Sequence, residues 1–293
     1  MALTEHHGIS IAQLVIYIPT LIIGILLCIR HGFGRNAGFF FLIIFSLARA
    51  LGAALDLATI AQPHNISIYF GAFTLQSIGL TPLILMLLAL DNRVLAEIEK
   101  VTSIPVSSRQ VRFVNLILLA ALILSSIGGS NSGNAYADTG VYTVSNLTKA
   151  GIVLTIVGFG ILALVTMAIA FNFSHIEAGE KRVLLAVVAS LPFLLVRLIY
   201  SGESVFGHNP DFSPLSGNIS VYLGTAVIEE IIIVIIVEAM GLTLKVLPKP
   251  SGASQSSSSG LLGGISSRFR SRYGGSEKQS YPMGKDAEEC ATV

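Results

Sequence analysis

Four charged residues interrupt the apolar runs of this sequence and could form a polar site inside it. Arg49 and Arg197 each stand within one run, and the adjacent Glu229 and Glu230 stand within another. A lone ion in hydrocarbon costs at least ~2.5 kcal/mol, so buried charges pair with one another and mark candidate sites. Two guanidinium groups and two carboxylates sum to zero charge and can pair at close range. We therefore predict mutual pairing within the folded chain.

The runs around these charges have the length of membrane-spanning helices. Only 12% of the residues are charged, compared with roughly 25% in soluble proteins. A bilayer core takes ~20 helical residues, and the runs lack the alternation of barrel strands. The sequence predicts an all-α fold, a seven-transmembrane-helix bundle over residues 1–247. The predicted helices cover about 9–29, 37–61, 68–90, 112–130, 148–171, 183–203 and 219–244.

Lysine and arginine fall on one side of this predicted bundle. The first, third and fifth connections hold all the basic residues of the short loops, whereas the connections at about 62–67, 131–147 and 204–218 hold none. The basic residues are Arg30, Arg35, Arg93, Lys100, Arg109, Arg112, Lys181 and Arg182. Because positive loops stay in the cytoplasm, we predict an outer N-terminus and a cytoplasmic C-terminus.

The four charges reach similar depths on this topology. A rise of ~1.5 Å per residue puts Arg49 and both glutamates near the middle, with Arg197 somewhat nearer the outside. Glu229 and Glu230 point about 100° apart on a helix, so one can pair while the other lines a cavity or stays protonated. With Tyr200, near the outer interface, the predicted ligand-binding or ion-cluster residues are Arg49, Arg197, Tyr200, Glu229 and Glu230.

Other charged residues lie near the predicted cytoplasmic side. We interpret Asp91 and Arg93 as a charge pair at a helix end on the surface. Glu180 belongs to a polar segment after Asn172 and is expected in a solvated turn. Glu238 is expected to extend toward the membrane interface, as long charged side chains often do. None of these four residues is therefore predicted to join the central cluster.

Three Asn-x-Ser/Thr sequons lie in the predicted outer loops, at Asn65, Asn146 and Asn218. Each comes just before an apolar run, where an asparagine side chain caps the free N–H groups of a starting helix. We predict capping at these positions in preference to glycosylation.

The sequence lacks the patterns of an intramembrane enzyme. In intramembrane prenyl proteases a Glu-Glu pair is followed by an arginine, but Val234 stands at the corresponding position after Glu230. We expect all six histidines, at positions 6, 7, 31, 64, 175 and 208, in loops or at the N-terminus. A buried zinc site would need intramembrane histidines. We predict that the protein is not an enzyme and binds no cofactor or metal.

Residues 248–293 differ in composition from the bundle. Pro250, the serine tract at 254–259 and scattered glycines cannot form a packed core, so we predict a disordered cytoplasmic tail. Arg268, Arg270 and Arg272 form a basic cluster with Phe269 and Tyr273. Such a cluster can contact anionic lipid, although a plain solvated tail remains the alternative.

The sixth and seventh predicted helices carry a family resemblance. Leu191-Pro192-Phe193, then Arg197-Leu198-Ile199-Tyr200, a polar loop, a central acid and Met240-Gly241 resemble the uncharacterised fungal seven-helix integral membrane proteins. The layout is more distantly similar to the fungal RTA-like lipid-translocating exporters. Arg197 and Tyr200 match the exporter motif, whereas Ser201 replaces its second arginine and Glu203 comes one residue early.

Composition and resemblance together lead to two functional hypotheses. The first is transport or translocation of a lipidic or amphiphilic small molecule through the midplane polar site, in which Arg197 and Glu230 contact a headgroup or a proton. The alternative is a seven-helix receptor or sensor without catalytic activity. In either case we predict a multi-pass protein of the plasma membrane or an endomembrane, in contact with lipid and not with nucleic acid.

Overall fold

The structure is a computed structural model. It describes residues 5–32, 37–62, 65–99, 107–140, 143–176, 178–207, 212 and 218–244. By internal contacts the chain divides into two units, Met1–Leu247 and Pro248–Val293. The predicted tail, with Arg268, Arg270 and Arg272, lies outside the described residues, so its disorder and its lipid contact stay predictions.

Helices account for nearly all of the described residues, among which there is no strand. In chain order they are α1 (Glu5–His31), α2 (Ala37–Ala58), α3 (Ile66–Ile78), α4 (Leu80–Ile98), α5 (Ser108–Thr139), α6 (Asn146–Phe171) and α7 (Ala178–Phe206). The last span consists of α8 (Ile219–Tyr222), a π-helix (Leu223–Val227) and α9 (Ile228–Thr243). Within the described ranges, seven helical segments are long and apolar enough to cross a membrane. The predicted all-α seven-helix architecture is confirmed.

One end of the bundle is rich in basic residues, and we call it the basic end. It includes Arg30 at the end of α1, Arg93 near the end of α4, Arg109 at the start of α5, and Lys181 and Arg182 at the start of α7. Because successive spans run in opposite directions, the N-terminus of α1 lies at the other end. Which end faces the cytoplasm stays a prediction.

The core of the bundle is organised around α4. Residues 80–91 of this helix are all buried, and α4 packs against α2, α5, α6 and α7. Leucine, isoleucine and methionine fill its whole circumference, as expected of a helix surrounded by other helices. The outer helices instead direct large apolar side chains away from the bundle, among them Phe113, Phe171 and Leu185. These exposed side chains suit contact with lipid.

The third span is broken between α3 and α4, at Gly79. Pro82 follows three residues later and has no N–H to offer the carbonyl of Ile78, and its ring crowds that carbonyl. The break at Gly79 therefore lies about one helical turn before Pro82. The last carbonyls of α3 are consequently open to other donors.

The fourth span extends further than predicted. We expected a loop from about residue 131, but α5 continues to Thr139 and ends at Gly140, whose φ of 70° suits glycine. Small residues allow close packing here. A β-carbon on Gly133 would stand 2.8 Å from the Phe70 ring, and one on Gly128 would stand 2.9 Å from the Thr148 α-carbon. This packing against α3 and α6 maintains helix in a segment whose composition favours turns.

Asparagine caps form at two of the three sequons. The Asn65 side chain accepts a hydrogen bond from the Ile68 amide, and the Asn218 side chain accepts one from the Ser220 amide at 2.9 Å. At the third position the prediction is wrong, because Ser145 is the cap of α6 and Asn146 is already its first residue.

Candidate functional site

Two arginines from different spans share one carboxylate oxygen near the middle of the bundle. Nη2 of Arg49, on α2, and Nε of Arg197, on α7, both donate to Oε1 of Glu230, on α9, the latter at 2.7 Å. Only 1% of Arg49, 3% of Arg197 and 1% of Glu230 is exposed. We call these three residues the Glu230 cluster. It ties three spans together with charge-assisted hydrogen bonds.

The remaining guanidinium contacts orient the two arginines. Nη1 of Arg49 donates at 2.6 Å to the carbonyl of Gln76, in the last turn of α3. A cation there also suits the helix C-terminus. Nη1 of Arg197 donates to the hydroxyl of Ser201, one turn further along α7, at 2.5 Å. Ser201, the position where the sequence departs from the exporter motif, thus supports Arg197 directly.

Aromatic rings cover both arginines. The Arg49 guanidinium carbon lies 5.5 Å from the centre of the Phe45 ring, and that of Arg197 lies 5.5 Å from the centre of the Tyr200 ring. A cation over a ring face gains ~0.5–2 kcal/mol, more where water is excluded. Tyr200, a predicted site residue, therefore contributes its ring.

Further polar side chains from the first, third and last spans surround the cluster. The Tyr222 hydroxyl donates to the side-chain oxygen of Gln76 at 2.7 Å. Gln13 lies beside the Tyr222 hydroxyl, within the range of a weak hydrogen bond, but neither polar atom of its amide has a partner with good hydrogen-bond geometry. The Tyr17 hydroxyl has no partner either, although its ring packs edge-on against Phe45 at 5.6 Å between centres. Gln13 and Tyr17 are 1% and 0% exposed.

Two atoms of the cluster itself also lack a hydrogen-bond partner. They are Nε of Arg49, a donor, and Oε2 of Glu230, an acceptor. A buried polar atom without a partner costs ~1–3 kcal/mol, and such atoms are infrequent in native proteins. Four unsatisfied side chains around one cluster therefore call for an explanation.

Gly79 makes room for Arg49 at the break in the third span. A β-carbon at this position would stand 2.7 Å from the Arg49 guanidinium carbon and 2.8 Å from its Nε. Any other residue would force the guanidinium group away from Gln76 and Glu230. The break that Pro82 induces thus provides both a carbonyl acceptor and the space for the arginine.

A π-helix lies just before the two glutamates. Leu223–Val227 form this wider turn between α8 and α9. Single π-turns are rare and occur often at functional sites. The extra residue per turn changes which face the following residues present, and Glu230 then faces Arg49 and Arg197.

Glu229 does not join the cluster. It is half-buried on a different face of α9, and its Oε2 has no hydrogen-bond partner. Only one of the two adjacent glutamates pairs with the arginines, in line with the expectation that they point about 100° apart. Two guanidinium cations and one carboxylate leave one net positive charge.

Gln13, Tyr17, Gln76 and Gly79 were not predicted as site residues. Gln13 and Gln76 offered a signal, since an uncharged polar side chain inside an apolar run is also uncommon. Tyr17 and Gly79 offered none, because their roles come from neighbours that are distant along the chain.

A second polar group lies toward the basic end, where two sequence interpretations are wrong. Asp91 is fully buried, in α4, and accepts a hydrogen bond from the Thr166 hydroxyl at 2.6 Å. Nε of Arg93 donates to both Glu180 oxygens at 3.1 Å, and both side chains are nearly buried. Asp91 and Arg93 thus form no surface pair, and Glu180 is not in a solvated turn.

Glu238 and His31 are also less exposed than expected. Glu238 is buried in α9 rather than extended to the interface. His31 belongs to α1 and its Nε2 lies 3.2 Å from the Gly241 carbonyl, so the placement of every histidine in loops or at the terminus is wrong for this one. No group of three metal-binding side chains occurs among the residues that the structure describes.

A family model described as "Domain of unknown function (DUF7702)" matches residues 3–247. The chain belongs to this DUF7702 family. The DUF7702 match covers all seven spans and the whole Glu230 cluster, but its description assigns no activity. No curated protein and no solved structure matches the chain. Fungal origin and a relationship to RTA-like exporters stay predictions.

Proposed function

We propose that this multi-pass membrane protein moves a lipidic or amphiphilic small molecule, unchanged, across the membrane through the Glu230 cluster. The observation that carries the proposal is the burial of two arginines and one glutamate, on three spans, among polar atoms without partners. Charged groups at this depth are expensive, and in transport proteins they mark the path of the substrate.

The contacts of the cluster fit such a role. The Glu230 carboxylate links Arg49 of α2 and Arg197 of α7 to α9, and α7 also packs directly against α9. A substrate group that bonds to either arginine would loosen the link of that arginine to Glu230, and the positions of α2 and α7 relative to α9 would respond. The break at Gly79 and the π-helix supply two places where the spans deviate from regular helix.

We also propose that the basic end is cytoplasmic, in a plasma membrane or an endomembrane. The support is the distribution of lysine and arginine in the short connections. The orientation can be measured with protease-protected vesicles and an epitope placed after Val293. Cleavage of the epitope from the cytoplasmic side is expected, and full protection would contradict it.

Flux in liposomes tests the transport proposal. Purified protein is reconstituted with nitrobenzoxadiazole-labelled phosphatidic acid or phosphatidylcholine, and dithionite reports how fast label reaches the outer leaflet. Wild-type protein should accelerate movement of at least one lipid, and Arg197→Gln should abolish the acceleration. Arg182→Gln, at an exposed position at the basic end, is the matched control and should leave flux unchanged. Binding of lipid without any flux would instead favour a non-catalytic receptor or sensor.

A further inference from the structure

The Glu230 cluster carries one uncompensated positive charge inside the bundle. Both arginine ion pairs go to the same carboxylate, at Oε1 of Glu230. Guanidinium groups stay protonated in proteins, so the two arginines contribute two positive charges against one negative. No other carboxylate of the described residues forms an ion pair with either arginine. Glu229 faces elsewhere, and Asp56 accepts a hydrogen bond from Ser10 at 2.6 Å.

The aromatic contacts reduce this charge imbalance without removing it. Phe45 and Tyr200 each place a ring 5.5 Å from a guanidinium carbon. A ring face attracts a cation but carries no net charge, so these contacts leave the excess positive charge in place. A mobile anion would compensate the remainder.

Unpartnered hydrogen-bond groups converge on the same place. Nε of Arg49 and the Tyr17 hydroxyl can donate and have no partner. The Gln13 amide can also donate, and its contact with the Tyr222 hydroxyl is at best a weak hydrogen bond. Tyr17 lies within electrostatic range of Arg49, Arg197 and Glu230, and both Gln13 and Tyr17 are nine-tenths or more buried. Oε2 of Glu230 can accept a hydrogen bond from a ligand hydroxyl or from a protonated ligand oxygen.

We propose that the Glu230 cluster binds an oxyanion, the phosphate or carboxylate headgroup of an amphiphile or a small free anion of the same chemistry. This inference rests on the proposed function and specifies its substrate class. Arg49, Arg197, Gln13 and Tyr17 donate to the oxyanion. Where the oxyanion is a singly protonated phosphate, Oε2 of Glu230 accepts a hydrogen bond from its P–OH group. Guanidinium groups match the geometry of phosphate and carboxylate. A cationic headgroup would instead add to the excess positive charge.

The experiment measures binding and not transport. Purified protein in dodecyl maltoside is titrated with dodecyl phosphate, with dodecyltrimethylammonium and with inorganic phosphate, and thermal unfolding and equilibrium dialysis report the affinity. Stabilisation by dodecyl phosphate and not by dodecyltrimethylammonium is expected. Inorganic phosphate distinguishes a free anion from a lipid headgroup. If it binds about as strongly as dodecyl phosphate, the site takes a free anion, and if it binds more weakly, the site takes a lipid headgroup. Equal stabilisation by both amphiphiles would overturn the proposal.

Two adjacent glutamates provide a matched pair of variants. Glu230→Gln raises the net charge of the cluster from one positive charge to two, so dodecyl phosphate should bind at least about tenfold tighter. Glu229→Gln removes the same charge one residue earlier, outside the cluster, and should change the affinity less than about twofold. If Glu230 served only to lock the helices together, Glu230→Gln would weaken the fold and leave the affinity unchanged. That result would overturn the inference.

Gln13→Leu provides the test if Glu230→Gln does not fold. The substitution removes two unpartnered atoms and should leave the empty protein folded, while dodecyl phosphate binding weakens about tenfold. Unchanged binding in Gln13→Leu would overturn the inference. The failures of the two proposals are distinguishable. Phosphate binding without flux contradicts transport alone, and flux of phosphatidylcholine without phosphate binding contradicts the oxyanion site alone.

Discussion

The guanidinium group of Arg49 occupies the space that a β-carbon on Gly79 would fill. Its central carbon would lie 2.7 Å from that β-carbon, far inside van der Waals contact. The two residues lie on different spans, and the arginine reaches the Gln76 carbonyl and Glu230 only because Gly79 has no side chain. A nearly fully buried charge therefore depends on the smallest residue.

Replacement of Gly79 by alanine should destabilise the protein. The added methyl group must displace Arg49 or separate α2 from α4, at a cost of about 2 kcal/mol, as for other overpacked sites. Thermal unfolding in detergent measures the loss. Gly160→Ala, on an open face of α6 with nothing within 4 Å, is the control and should lose nothing. Equal stability of the two variants would contradict the tight contact.

Gln13→Leu should stabilise the empty protein. The Gln13 amide is buried without a partner, so an apolar side chain of similar size recovers ~1 kcal/mol of desolvation. Gln76→Leu is the matched substitution, because that amide accepts the 2.7 Å hydrogen bond from Tyr222. It should lower the unfolding temperature. A loss of stability in both variants would mean that Gln13 has a partner in the empty protein.

Glu180→Gln should weaken the basic end. The variant replaces a carboxylate that accepts hydrogen bonds from Arg93 on both oxygens, and loss of one member of a nearly buried ion pair costs about 3 kcal/mol. Unfolding in detergent again reports the change. Arg182→Gln changes an exposed charge two residues away and should shift stability by less than ~0.5 kcal/mol. A comparable effect of both would show that overall charge, and not this pair, matters.

The connection between α4 and α5 should show a dependence on acidic pH. The backbone N–H of Ser108 donates to Glu99 at 2.7 Å and its hydroxyl donates at 2.8 Å. These hydrogen bonds lower the pKa of Glu99 below its ordinary value. The carboxylate therefore stabilises the folded state above the ordinary pKa, and this contribution disappears as the pH falls through the lowered one.

Comparison of wild type with Glu99→Gln across pH 7 to pH 3 measures this contribution. The difference in unfolding temperature should be largest at neutral pH and should shrink as the pH falls. Because Glu99 is exposed, we expect a small effect. Ser108→Ala, which removes the hydroxyl donor and keeps the N–H, should show a smaller pH-dependent difference. A difference that grows on acidification would contradict the assignment.

Hydrophobic runs were sufficient to predict the number of spans, because hydrocarbon thickness sets their length. The hydrophobic runs were not sufficient to predict the residues at which the helices end. The segment after residue 130 contains serine, asparagine and glycine, which favour turns locally, but close packing of Gly128 and Gly133 against neighbouring helices extends α5 to Thr139. Likewise α4 continues to Ile98, well past the apolar run, because Asp91 and Arg93 find buried partners on α6 and α7.

The site was partly predictable because charges are scarce in apolar runs. Arg49, Arg197 and Glu230 stand out for that reason, but adjacent glutamates give the same signal, so sequence alone could not tell Glu229 from Glu230. The π-helix at Leu223–Val227 decides the matter through backbone geometry. Gln13, Tyr17 and Gly79 enter the site through packing between spans, and the local sequence pattern contains no information about such contacts.

The excess charge of the cluster has an electrical consequence. A positive charge held within the spans lies in the field of the membrane potential, where each charge moved across 100 mV changes the free energy by ~2.3 kcal/mol. A protein with an oxyanion bound would be locally neutral, whereas the empty protein would retain the charge. In a transport cycle, the membrane potential would then act on the step in which the empty protein changes orientation. It would not act on the step in which the protein carries the bound oxyanion.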